Sequence, residues 1–202
     1  MAVNRTSQPG QQRRQALILA GYELLAQRGF EGLRTRDVAD AAGVNVATLH
    51  YYFPTKEALI GGILEETMTR FSSTITRSAS RGDLLRAHFS GLRRLVCEQP
   101  ELFAVMGELA LRSTRDPAIA QLFEKTVSTW HHAMRMLIAQ AVRDGSINPE
   151  RDPDAQAAMV VSAVMGASML PINRPARLAQ TFRELEQTLG LRQPRGLKAR
   201  RR

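Results

Sequence analysis

Residues 33–59 read LRTRDVADAAGVNVATLHYYFPTKEAL, and this stretch decides the fold. It predicts two short helices joined by a tight turn, with a third helix beginning directly behind them. Thr35 is expected to cap the first helix, because its hydroxyl can accept a hydrogen bond from a free N–H of the first turn. Gly43 supplies the left-handed backbone that ends this helix. Asn45 is expected to cap the second helix and Thr55 the third.

The spacing of Ala39, Gly43 and Leu49 is that of a helix-turn-helix. A small residue lets the two helices cross, a glycine makes the corner, and an apolar residue anchors the second helix from below. The second helix is left with an outward polar and aromatic face that a DNA major groove would accept. The alternative is a helical hairpin inside an ordinary all-α protein, where the tyrosines only cap a core and the outward face has no purpose.

At these positions the chain resembles the TetR family of bacterial transcriptional regulators. The family has a threonine opening its second helix, a glycine–valine turn, an aromatic recognition helix ending in phenylalanine, and then serine or threonine, lysine and glutamate. The match covers roughly residues 13–60, about a quarter of the chain. Two positions depart from the family: His50 replaces a more common tyrosine that touches phosphate, and Val46 replaces a frequent lysine.

The resemblance implies that the helix Asn45–Tyr52 enters the major groove. Contacts to base edges are expected from three residues: Ala47, Thr48 and Tyr51. Phosphate contacts, which position the protein without reading sequence, are expected from five: Thr35, Arg36, His50, Tyr52 and Lys56. Asn45, at the start of the helix, completes the expected DNA-binding set.

The net charge of +9 lies at the two ends of the chain. Residues 1–14 carry three arginines and residues 192–202 carry six basic residues, with no acid in either stretch, so residues 15–191 are formally neutral. We predict a basic N-terminal arm over 1–14 that reaches phosphates or a minor groove. The tail 192–202 either adds non-specific DNA affinity or, as we favour, is a disordered solubilising end.

The rest of the chain predicts only helices, about nine in all, and hence an all-α fold. Asp-Pro pairs at 116–117 and 152–153 are helix starts, and Gly29 and Gly145 are helix ends. We expect a DNA-binding domain of three helices over 13–60 and a larger ligand-binding and dimerisation domain over 61–191. One cysteine, no apolar leader and no membrane-length apolar run favour a cytoplasmic protein.

The larger domain is expected to bind a small apolar or amphipathic effector and to form a homodimer. Its apolar residues on three successive helices could surround a cavity or could simply form the core: Phe89, Leu92, Val96, Phe103, Met106, Trp130, Met134 and Leu137. In TetR-like proteins the last two helices pair with those of a second subunit, here about 152–170 and 175–189. Phe182, Leu185 and Leu189 are the expected apolar stripe of that pairing.

Other functions fit less well. Neither a phosphate-binding glycine loop nor a GxSxG or HExxH motif is present, so no catalytic residue is predicted. The histidines and Cys97 lack close metal-ligand spacing, so neither a metal nor another cofactor is predicted. A small all-α enzyme and a structural DNA-binding protein remain the alternatives, although the latter would carry basic charge along its body. We expect a ligand-responsive transcriptional regulator, most often a repressor in the family it resembles.

Overall fold

The structure is a computed structural model and describes residues 8–74, 84–147, 150–169 and 175–191. These residues form nine α-helices and one 3-10 turn and contain no strand, which confirms the all-α prediction. The helices of the N-terminal half are α1 Gln8–Arg28, α2 Thr35–Ala41, α3 Val46–Tyr52 and α4 Lys56–Ser73, with the 3-10 turn Phe30–Gly32 before α2. The remaining helices are α5 Leu84–Glu98, α6 Glu101–Ser113, α7 Pro117–Arg143, α8 Pro153–Met169 and α9 Pro175–Thr188.

Side-chain caps begin several of these helices as the sequence predicts. Asn45 Oδ1 accepts the Thr48 N–H at 2.8 Å, and Thr55 Oγ1 accepts the Ala58 N–H at 3.1 Å. Asp116 Oδ1 accepts the Ala118 N–H at 3.1 Å before α7. The turn between α2 and α3 has Gly43 at φ 67°, a left-handed conformation that a side chain would strain. These local signals set the register of the helix-turn-helix.

Two predictions about the N-terminal helices are wrong. The N-cap of α2 is Arg34 and makes no side-chain cap bond, whereas Thr35 is already the first helical residue. Residues 8–14 are not an arm, because α1 begins at Gln8. Proline is tolerated in the first helical turn, so Pro9 does not stop this helix. Residues 1–7 and the predicted tail 192–202 lie outside the described residues.

The described residues divide into two compact units. The first unit lies within Met1–Arg70 and Gln99–Ser128, and the second within Phe71–Glu98 and Thr129–Arg202. Helix α6 therefore shares a unit with the helix-turn-helix, although residue 60 was the expected domain boundary. The functional division into 13–60 and 61–191 stays a prediction.

In the first unit, α1 packs against α2 and α6, and α2 packs against α3. The core is aliphatic and aromatic, and Leu17, Leu25, Val38 and Leu49 are each at most 1% exposed. Burial of these side chains holds the short helices α2 and α3, which would not be stable as isolated helices.

In the second unit, α5 packs against α9. The rings of Phe89 and Phe182 meet edge to face with centroids 6.3 Å apart. Phe182, Leu185 and Leu189 are buried within the subunit, so the prediction that this stripe faces a second subunit is wrong. An apolar stripe on a helix must be buried against another helix, but the sequence of the stripe does not identify that helix. None of the described helices has the length and apolarity needed to cross a membrane.

Candidate functional site

Helix α3 has one buried face and one exposed face. Leu49 is 1% exposed and Phe53, directly after the helix, is 2% exposed, so both belong to the core. Opposite them, Tyr51 is 81% exposed, which is exceptional for a large aromatic ring. Asn45, Ala47 and His50 are also exposed, and Thr48 is half-buried. The predicted base-reading side chains thus lie on a single outward surface.

The ring of Tyr52 supports that surface. It meets the Tyr51 ring edge-on with centroids 5.0 Å apart. A β-carbon at Gly10 would lie 3.5 Å from the Tyr52 hydroxyl, so the start of α1 passes close to α3. The first turns of α1 therefore adjoin the DNA-reading helix.

Arg13 is a further candidate contact on this surface. It is exposed and lines an open groove of about 390 Å³ together with five residues of the predicted DNA-binding set: Asn45, Ala47, Thr48, Tyr51 and Tyr52. Arg14 points elsewhere, since its guanidinium pairs with Glu65 at 3.4 Å and lies 5.3 Å from the centre of the Phe53 ring. The sequence predicted both arginines as parts of one arm, and helical geometry separates them.

The predicted phosphate contacts occupy different environments. Arg36 on α2 is exposed and Thr35 is half-buried. Lys56 has an internal partner, because its Nζ donates to the Phe30 carbonyl oxygen at 3.1 Å and lies 3.9 Å from the centre of the Phe30 ring. Burial lowers the pKa of Lys56 below its ordinary value. A phosphate contact from Lys56 would have to replace these interactions, so that role stays a prediction.

Phe30 also connects the helix-turn-helix to α6. The Phe30 N–H donates to Glu108 Oε1 at 2.9 Å, and the Arg112 guanidinium carbon lies 4.3 Å from the ring centre. Arg112 in turn pairs with Glu31 at 3.5 Å. This cluster was not predicted from the sequence. Its one signal was a single acid, Glu108, within the apolar stretch of α6.

The eight predicted effector contacts do not all fall in one unit. Phe89, Leu92, Trp130 and Met134 are buried in the second unit, where Leu137 is half-buried. Met106 is buried and Phe103 half-buried in the first unit. The side chain of Val96 lies outside the described set. Of the predicted effector contacts, Phe89, Leu92, Trp130 and Met134 are therefore the four that are buried together in one unit.

A polar pair lies within the second unit. His88 is 2% exposed, and its Nδ1 lies 2.7 Å from Thr74 Oγ1. Burial lowers the pKa of His88 to about 4, so this imidazole is neutral near pH 7. Cys97 is exposed. No three potential metal ligands come together within the part of the chain that the structure describes.

Comparison with known protein families gives two matches. A model of the bacterial regulatory proteins of the tetR family matches residues 17–63. A model of the C-terminal domain of BetI-type transcriptional repressors matches residues 82–192, more than half of the chain. The first match covers the helix-turn-helix, and the second covers most of the predicted ligand-binding and dimerisation domain.

Individual relatives agree with the family matches. The HTH-type transcriptional regulator LuxR of Vibrio harveyi is 27% identical over 146 residues, which is 70% of each chain. The HTH-type transcriptional repressor KstR2 of Mycolicibacterium smegmatis is 25% identical over 159 residues, 76% of each chain. A putative TetR-family regulator from Rhodococcus sp. superposes with a TM-score of 0.78 at 24% identity, covering 89% of this chain and 99% of that one.

Proposed function

Because the chain belongs to the TetR family of bacterial transcriptional regulators, we propose that it is a dimeric repressor released from its operator by a small effector. DNA binding and transcriptional regulation follow from the family itself. Repression is supported by the BetI-type repressor match and by the similarity to a named repressor. The effector is proposed to bind in the C-terminal domain and to be apolar or amphipathic.

One observation carries the DNA-reading part of the proposal, namely the 81% exposure of Tyr51 on a helix whose other face is buried. A major groove admits an α-helix and offers thymine methyl groups to apolar side chains. Ala47 and the Tyr51 ring are suited to such methyl groups, and the Thr48 hydroxyl is suited to a base edge. Asn45 keeps the start of the helix in place through its cap bond.

The surrounding residues position the helix on the backbone. Arg36 and Arg13 are exposed cations on neighbouring helices, and the side chains of His50 and Tyr52 offer further hydrogen-bond donors. Thr35 opens α2 and can contribute its hydroxyl or its backbone N–H. The hydrogen bond from Lys56 to the Phe30 carbonyl favours a structural role for this lysine. In that role Lys56 fixes the start of α4 against the helix-turn-helix.

The homodimer is proposed to form through α8 and α9. On α8, Ala155, Ala158 and Ser162 are exposed and recur on one face, where small side chains allow close helix approach. An isologous dimer would present two copies of α3 to a palindromic operator. The two half-sites would lie about one helical turn apart, roughly 34–36 Å. Introducing Glu at Ala158 should produce a monomer in sedimentation, whereas Glu at the exposed Ala104 of α6 should not.

The test of the proposal begins with operator selection from random duplexes and a footprint on DNA flanking the protein's own gene. A regulator should protect a palindromic site at concentrations that leave scrambled DNA unbound. A small-molecule library is then screened by thermal shift, and each stabilising compound is added to the operator complex. Because linkage is reciprocal, a compound that releases DNA must bind less tightly to the complex than to the free protein. Uniform binding to all DNA would contradict the proposal.

A further inference from the structure

Two buried polar side chains in the second unit each have an atom without a hydrogen-bond partner among the described residues. These atoms are Nε2 of His88 and Nε1 of Trp130, and both side chains are at most 3% exposed. Buried polar groups in folded proteins are nearly always paired, so each such atom calls for an explanation. The amide of Gln156 on α8 is likewise unpartnered within the described ranges.

The hydrogen-bond pattern fixes the tautomer of His88. Thr74 Oγ1 lies 2.6 Å from the Phe71 carbonyl oxygen and 2.7 Å from His88 Nδ1. A carbonyl oxygen only accepts, so the single hydroxyl hydrogen of Thr74 is donated to Phe71. The Thr74 oxygen then accepts the Nδ1–H of His88. In a neutral imidazole this leaves Nε2 as a bare acceptor, which needs a donor.

Trp130 supplies the opposite polarity, because an indole N–H only donates. Its ring stacks on Phe71 with centroids 5.0 Å apart and planes 18° apart. Phe71 is thus linked to both side chains, to Trp130 through its ring and to His88 through its carbonyl and Thr74. One short segment at the end of α4 therefore fixes both a free acceptor and a free donor.

The surroundings favour an uncharged partner. Within the described part of the second unit, no Lys, Arg, Asp or Glu side chain is buried. A charged molecule taken into this interior would lose its hydration without gaining a counter-charge. The interior of this unit is otherwise apolar, and Phe71, Phe89 and Met134 are all buried in it.

We propose that the effector is an uncharged, largely apolar molecule with a hydroxyl or N–H donor for His88 and a carbonyl-type oxygen for Trp130. This rests on the proposed function, since it names the chemistry of the effector that would release the operator. It assigns His88 and Trp130 as the polar contacts and Thr74 as the residue that holds His88 in the required tautomer.

The sole tryptophan of the chain is itself part of the site, so its fluorescence is a direct reporter. Four cyclohexane-sized probes form a matched set, and calorimetry checks the dissociation constants of the two ketones, whose weak absorption overlaps the excitation of tryptophan. The probes are 4-hydroxycyclohexanone, cyclohexanone, methylcyclohexane and cyclohexylammonium. We expect the first to bind about fivefold to tenfold more tightly than cyclohexanone, which lacks only the hydroxyl, as expected for a hydrogen bond to a buried acceptor that is otherwise unpaired. The ammonium probe should bind most weakly.

Two variants of His88 isolate the acceptor. His88→Asn keeps a donor where Nδ1 meets Thr74 and removes the atom at Nε2, so it should bind cyclohexanone and 4-hydroxycyclohexanone equally. His88→Gln keeps a polar end near Nε2 and should retain part of the preference. Trp130→Phe keeps the stack on Phe71 but should lose the preference for cyclohexanone over methylcyclohexane, measured by thermal shift. Circular dichroism checks that each variant is folded.

Several outcomes would overturn the proposal. If the wild-type protein binds 4-hydroxycyclohexanone no better than cyclohexanone, Nε2 is paired with a buried water and not with a ligand. Failure of every probe to bind, or tight binding of the ammonium probe, would also reject it. If the hydroxyl probe binds with the expected preference but never loosens operator DNA, the effector chemistry stands and the repressor mechanism fails. Release of operator DNA by a molecule that shows no such preference would support the repressor mechanism and reject the effector chemistry.

Discussion

Replacing Tyr51 by alanine separates DNA reading from folding more cleanly than any other change on α3. The side chain is 81% exposed and touches mainly the edge of Tyr52, so its loss should change the free energy of unfolding by no more than about 0.5 kcal/mol. A good base contact contributes about 1–3 kcal/mol of discrimination, which corresponds to a roughly 5-fold to 150-fold loss of specific over non-specific affinity.

The assay measures fluorescence anisotropy with the selected operator and with a scrambled duplex at the same salt concentration. The ratio of the two dissociation constants is the informative quantity, because backbone affinity cancels in it. Tyr51→Phe keeps the ring that would meet a thymine methyl and should retain most of the ratio. Leu111→Ala removes another exposed apolar side chain, 58% exposed on α6, and should leave the ratio unchanged.

A wild-type ratio in Tyr51→Ala would refute this role for the side chain. The exposed ring would then have no part in reading bases, and the readout would rest on Ala47 and Thr48 alone. A parallel loss on both duplexes would instead make Tyr51 a backbone contact. Large destabilisation in urea would show that the ring packs against more than Tyr52.

Three further predictions concern buried or half-buried groups. Lys56→Ala should lower the free energy of unfolding by about 1–2 kcal/mol, because the hydrogen bond to Phe30 and the contact with its ring are lost. The salt slope of DNA binding should change by less than one unit. A loss of about one full unit would place this lysine on a phosphate. Glu108→Ala leaves the Phe30 N–H unpaired and should cost about 1–3 kcal/mol in urea unfolding, whereas Glu108→Gln, which keeps an acceptor, should cost clearly less. The folded-state pKa of His88 is lowered to about 4 from the unfolded value of 6.5, so the unfolded chain binds the extra proton first. The free energy of unfolding should therefore be highest above about pH 6.5 and fall towards pH 4, by at most about 3 kcal/mol. His88→Asn should flatten that part of the profile. If His88→Asn leaves the profile unchanged, His88 titrates normally in the folded protein.

Short-range chemistry explains what the sequence predicted well. A cap such as Asn45 or Asp116 acts within three residues, and a left-handed glycine such as Gly43 acts within one turn. The buried pair Leu49 and Phe53 depends only on helical periodicity. Each of these features is determined by residues close together in the sequence. The helix-turn-helix and the outward face of α3 could therefore be predicted from the sequence.

The sequence does not predict which partner lies opposite a given residue. Phe182 was expected to meet a second subunit but packs against Phe89 of the same chain. The ammonium group of Lys56 turns to Phe30, 26 residues away. His88 was given no partner by the sequence analysis, and its Nδ1 lies 2.7 Å from Oγ1 of Thr74, 14 residues away. Periodicity identifies which face needs a partner, but only tertiary packing chooses it.

The same partner choices bear on how the protein must bind DNA. Arg14 is paired with Glu65 and Lys56 is bound to Phe30, so these cations are already occupied in the folded chain. Arg13 and Arg36 are exposed cations beside α3 and have no side-chain partner among the described residues. Each phosphate contact contributes a salt slope of about −0.9, so these two arginines together would contribute a slope near −2. In the proposed homodimer, two copies of α3 on one palindromic operator would add their binding free energies, so the dimer should bind that operator more tightly than a single subunit.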